Sequence, residues 1–94
     1  MIVVVRFFTT LREVTGKREE KIELKSGVTV GDLIGILSEK YGRRFTDYMY
    51  DKNGKMRPYI MFLVNGKSIT ALQGLETELR DRDKVAILPT VGGG

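Results

Sequence analysis

One stretch of helical spacing stands among segments that alternate like strands, and this contrast limits the folds open to the chain. Val30, Leu33, Ile34, Leu37 and Tyr41 recur at the intervals that put apolar groups on one face of a helix. A lone amphipathic helix must bury that face against another layer, and the flanking segments supply a sheet. Met1 to Phe8 is rich in β-branched and aromatic residues. Its one charge, Arg6, falls on the even positions, so Val3, Val5 and Phe7 are expected to face the core, and Val4 and Phe8 the other side. After the turn signal of Gly16, Ile22 and Leu24 alternate with Lys21, Glu23 and Lys25, a second strand expected to pair with the first.

Thr29 and Asp32 form a capping-box start for the helix, and Gly42 is expected to end it in a left-handed cap. Gly31 and Gly35 are expected to let the helix approach the sheet closely. Residues 43–58 read as an irregular segment. Tyr59 to Val64 is a continuous apolar run suited to a central strand, and Asn65-Gly66 signals a hairpin into a short strand near Ile69. Leu72, Leu75 and Leu79 suggest a short irregular helical passage weakened by Gly74. Lys84 to Leu88 is the last strand, with Val85 and Ile87 inward, Ala86 and Leu88 outward, and Pro89 terminating it. The order predicts an α+β fold, a mixed sheet covered on one face by one main helix. The folded unit is expected over 1–89, and 90–94 as a flexible tail with no anchoring side chain after Val91.

The chain has 94 residues, room for one soluble domain, and contains neither Cys nor His. Disulfides, Cys/His zinc sites and Ser-His or Cys-His catalytic arrangements are excluded. No carboxylates stand at an acid/base spacing, and Glu19 and Glu20 read as a solvated strand edge. Gly66-Lys67-Ser68 matches the end of a phosphate-binding loop, but that loop needs a glycine at position 61, which is Met61. The apolar runs fall well short of the ~20 residues of a membrane span and of a secretory signal, so no membrane partner and a cytoplasmic location are expected. Of the net charge of +4, three units sit in residues 43–58, where Arg43, Arg44, Lys52, Lys55 and Arg57 face only Asp47 and Asp51. Phe45, Tyr48, Tyr50 and Tyr59 interleave with them as in single-strand binders. A partly packed, solvated loop explains the same residues, and nucleic acid is not the expected partner.

The chain end carries the remaining signal. Gly92, Gly93 and Gly94 have no Cβ, so such an end is thin enough to thread a channel and present its carboxylate, although a terminal fray looks the same. From Pro89 the extended reach is ~20 Å at ~3.3 Å per residue. Three blocks carry a family resemblance in order along the whole chain. They are Val4-Val5-Arg6-Phe7-Phe8 with Leu11-Arg12-Glu13 and Gly16, Leu79-Arg80-Asp81-Arg82-Asp83-Lys84-Val85, and Pro89-Thr90-Val91-Gly92-Gly93-Gly94. Together they resemble the MoaD and ThiS family of ubiquitin-like sulfur carriers, above all the archaeal-type small subunit of molybdopterin synthase. Two positions depart from the family pattern: Arg82 stands where Gly is common, and Thr90 where a second Pro is common.

The resemblance implies a β-grasp fold and a carrier that is not itself a catalyst, with no metal and no bound cofactor. It implies that an E1-like adenylyltransferase, using ATP, adenylates the Gly94 carboxylate, after which sulfur displaces AMP to leave a thiocarboxylate. In molybdopterin synthase the large subunit would take up this tail, and the sulfur would go to the pterin precursor. A protein modifier conjugated to lysines, or a carrier serving tRNA or thiamine, stays open as an alternative. A docking face is expected around the outward Phe8 and Leu88, extended by Ile69 and continued by Pro89 and Val91. The competing expectation is that segment 43–58 covers it.

Overall fold

The computed structural model describes residues 1–89, so Val91, Gly92, Gly93 and Gly94, with the rest of the expected tail 90–94, lie outside the described residues. In chain order the elements are β1 (Ile2–Phe7), α1 (Thr10–Thr15), β2 (Glu19–Glu23), α2 (Val30–Tyr41), α3 (Arg43–Met49), β3 (Ile60–Val64), β4 (Lys67–Ser68) and β5 (Lys84–Pro89). Two 3-10 turns, Ile69–Ala71 and Gly74–Glu76, lie between β4 and β5. The strand order is β2-β1-β5-β3-β4. β1 and β5 run parallel at the centre, and the other pairs are antiparallel. This is the expected mixed sheet in a β-grasp arrangement, with the first and last strands side by side.

Thr29 starts α2 as anticipated: its Oγ1 accepts from the Asp32 N–H at 3.1 Å, and Asp32 Oδ2 accepts from the Thr29 N–H at 3.0 Å. Val30, Leu33, Ile34 and Leu37 are buried in one cluster with Val3, Val5, Phe7, Val85 and Ile87, while Ile22 packs at its margin. Gly42 has a positive φ of 74° but a ψ of −151°, outside the left-handed helical region expected of it. The reason is that Gly42 caps two helices, ending α2 and accepting from the N–H groups of Phe45 and Thr46 at the start of α3. The close approach at Gly31 is also not to the sheet. A Cβ there would lie 3.2 Å from the Leu75 carbonyl oxygen, whereas one at Gly35 would meet nothing within 4 Å.

Residues 43–58 are more ordered than the irregular segment expected. Phe45 and Met49, four apart on α3, are fully buried, and Tyr41 packs against both Phe7 and Phe45 at centroid distances of 6.0 and 6.2 Å. The segment then turns tightly: Asp51 Oδ1 accepts from the N–H groups of Asn53 and Lys55, and Tyr50 bridges to Met56. Glu20 is likewise no solvated edge residue. Its side chain is 8% exposed, accepts from the Tyr41 hydroxyl and pairs with Lys40 and Lys17, tying β2 to the end of α2. Ile69 corrects the expected docking patch. It opens a 3-10 turn just after a two-residue β4, which swings it into the core at 6% exposure, while Leu72 and Leu75 stay exposed. Among the described residues no helix is long and apolar enough to cross a membrane.

Candidate functional site

The helices lie on one face of the sheet, and the strand registers define the other. Val4 sits between Lys21 of β2 and Lys84 of β5. One step along, Arg6 sits between Glu19 and Ala86, and Ala86 in turn lies opposite Leu63 of β3. One step further, Leu88 lies opposite Met61, and Pro89 pairs with Ile60 where β5 ends. Alternation sends Val3, Val5, Phe7, Val85 and Ile87 to the core, so these partners make a second surface whose apolar members are half-buried.

Phe8 continues this surface. Its ring borders a groove of about 290 Å³ shared with Arg6, Leu63, Lys84 and Ala86. Arg6 and Arg12 place their guanidinium carbons 5.8 and 5.4 Å from the ring centroid, and Arg12 Nε donates to the Phe7 carbonyl at 3.0 Å. Thr9, at a φ of 48°, turns the chain sharply into α1 and brings Arg12 back over Phe8. The result is an apolar stripe rimmed by cations, pointing toward the strand end from which the tail departs. Among the described residues no three carboxylates come together to hold a metal ion.

Of the residues singled out in the sequence, the structure brings Phe8 and Leu88 onto this surface, whereas Ile69 is in the core and Pro89, paired with the buried Ile60, follows Val85 and Ile87 on the core side of β5. The α3 part of segment 43–58 does not cover it, because α3 packs on α1 and α2 on the helical side of the sheet, while Met56, Arg57 and Pro58 line a cavity with Met61 at the β3 end. Met61 and Leu63 were missed because an unbroken apolar run shows no inside and outside. The hairpin at Asn65-Gly66 carried the signal, since it sets the register of β3. Arg6 and Arg12 were missed because only the fold stacks them on one ring. The aromatic interleaving of 43–59 is spent largely inside: Phe45 is fully buried, Tyr48 and Tyr50 are half-buried, and Tyr59 alone of the four is exposed.

Known proteins share both the sequence pattern and the architecture. The family model described as "ThiS family" matches residues 5–94. Small archaeal modifier protein 3 of Haloferax volcanii is 35% identical over 94 residues, spanning 96% of each chain. A Pyrococcus furiosus protein provisionally named molybdopterin converting factor, subunit 1, superposes with a TM-score of 0.76 at 29% identity, covering 97% of this chain and 99% of its own. A chain of the BexX/CysO complex of Amycolatopsis orientalis superposes with a TM-score of 0.74 at 31% identity, covering 98% and 99%. The match through nearly the whole chain and the first-beside-last strand order agree, and the chain belongs to the ThiS/MoaD family of ubiquitin-like sulfur carriers.

Proposed function

We propose that the reactive group of this chain is the Gly94 carboxylate, and that the open sheet face docks the proteins that act on it. The observation that carries this reading is where β5 ends. The central strand runs along the exposed stripe and stops at Pro89, with five residues left to the end of the family match. Their extended reach of about 17 Å, at ~3.3 Å per residue, suits entry into a neighbouring active site. A carboxylate is a poor electrophile. Attack of the Gly94 oxygen on the α-phosphate of ATP, held by an E1-like enzyme, releases pyrophosphate and leaves an acyl adenylate. A sulfide equivalent then displaces AMP, giving the thiocarboxylate. Glycine at the reacting end leaves the acyl carbon unobstructed. ATP belongs to the activating enzyme in this reading, the carrier holds no cofactor, and the chemistry runs in the cytoplasm.

The sulfur's destination is a pterin precursor in a molybdopterin synthase, with the thiocarboxylate entering the large subunit. The likeness to the Pyrococcus protein supports this destination. A second reading rests on the likeness to the Haloferax modifier: a lysine amine attacks the same activated acyl carbon and forms an isopeptide bond. Intact-mass measurement after incubation with the activating enzyme, ATP and a sulfur donor separates them. One oxygen-to-sulfur exchange on the C-terminal peptide is the expected result, and a lysine conjugate is the signature of the second reading. Deleting Gly93 and Gly94 shortens the reach by about 7 Å and is expected to abolish both products. Equal thiolation of the truncated chain overturns the proposal.

A further inference from the structure

The open face has a second groove at the end away from the tail, of about 410 Å³, and nothing in the tail chemistry calls for it. Ile2 and Val4 form its floor, Lys21 and Lys84 flank Val4, and Arg82 closes the end. Among the described residues neither lysine has an ion-pair partner, unlike Lys17 and Lys40, which share Glu20 on the helical side. The one carboxylate lining the groove, Asp81, is already engaged. Its Oδ1 accepts from the Ile2 N–H at 2.8 Å, and its Oδ2 stands 3.9 Å from Arg82 Nε. Glu23, on the edge strand, is the neighbour of Ile2 across the β1–β2 pairing. Arg82 has a φ of 69°, a strained setting for a residue with a Cβ, and its N–H is held by the Ile2 carbonyl at 2.7 Å. Its side chain is nevertheless 92% exposed. The turn that bonds the Arg82 N–H to Ile2 sets this φ, which glycine would adopt without strain, so what Arg82 adds is a charge held out to solvent beside the groove.

We propose that this groove docks a carboxylate-bearing loop of the protein that activates the tail, with Arg82 as the specificity-determining residue. Three cations over an apolar floor are complementary to an acidic segment carrying one apolar side chain. From Lys84 to Pro89 the strand spans roughly 17 Å at ~3.3 Å per residue. An interface of ordinary size covers a patch roughly 30 Å across, so a partner that holds the tail root reaches the groove. The inference rests on the carrier reading above, and its test separates the two.

The measurement is the KM of the intact chain in adenylation by the E1-like enzyme of its own host, over a range of salt. In the triple variant Lys21→Gln, Arg82→Gly, Lys84→Gln, KM is expected to rise about tenfold at low salt with kcat unchanged, and the gap to close as salt screens the rim. Arg82→Gly alone is expected to raise KM about threefold without lowering the unfolding temperature, since it relieves strain. A matched variant, Arg44→Gln, Lys52→Gln, Lys55→Gln, removes the same charge elsewhere and is expected to leave KM within about twofold. A groove variant with KM within about twofold of the parent, an equal rise in both triple variants, or a rise that Lys84→Gln alone reproduces, since Lys84 also lines the groove at Phe8, overturns this groove while the carrier reading stands. Failure of the parent chain to be adenylated overturns both.

Discussion

At the scale of single residues, burial separates side chains that sequence position alone treats alike. Leu37 is fully buried under the sheet, and Leu37→Ala is expected to destabilise the protein by ~2–5 kcal/mol, measured by denaturant unfolding. A loss below ~0.5 kcal/mol, typical of surface sites, would place it outside the core. Ile69 and Leu88 look equivalent as isolated aliphatics, yet one fills the core and the other stands half-buried on the open face. Arg82 shows the same separation in backbone terms. A turn position that glycine fits without strain is held here by a residue whose charge faces solvent.

At the scale of elements, the two glycines of α2 make a controlled comparison. Gly35→Ala is expected to stabilise by about 0.5–1 kcal/mol, because helix propensity rises and the new Cβ meets nothing within 4 Å. Gly31→Ala places its Cβ against the Leu75 carbonyl, part of a 3-10 turn, and is expected to gain less or to lose stability. Equal gains in thermal unfolding would show that the turn yields freely. The link between β2 and α2 is expected to weaken in alkali. Burial raises the pKa of the Tyr41 hydroxyl above its ordinary 10.0, so between that value and the raised one the unfolded chain has lost the proton that the folded chain keeps. Stability that depends on this proton is fully present below pH 10.0 and is lost as pH rises through the raised pKa. Unfolding titrations of the parent and of Tyr41→Phe should diverge in that range, and parallel curves would show that Tyr41 carries no such linkage. The elements missed in the sequence, α1 and α3, are six and seven residues long and have no side-chain cap, so neither repeats its pattern long enough to register.

At the scale of the whole molecule, placing every α-helix on one face leaves the other free for partners, with the tail beginning at its edge. Phe8→Asp with Leu88→Asp is expected to leave the fold intact and to weaken binding of the activating enzyme by at least tenfold, about 1.4 kcal/mol, because apolar anchors dominate such interfaces. Ile69→Asp, by contrast, is expected to unfold the chain by burying an unpaired charge. Unchanged affinity of the folded double variant, followed by titration calorimetry, would remove Phe8 and Leu88 from the docking surface.

Much of this molecule was legible in the order of its residues. Periods of two and near four marked β1, β2, α2 and β5, Asn65-Gly66 marked the hairpin, and Thr29 with Asp32 marked the helix start, because these are local preferences of backbone and cap. The absence of Cys and His removed whole classes of chemistry, and the terminal glycines with the internal blocks carried the family. What only the tertiary structure decided is which groups separated in sequence meet. Arg6 and Arg12 converge on Phe8, Lys21 and Lys84 on Val4, and Tyr41, Lys17 and Lys40 on Glu20. The physical reason is that pairing β1 beside β5 joins the two ends of the chain, and strand register and helix docking are long-range choices that no local window encodes.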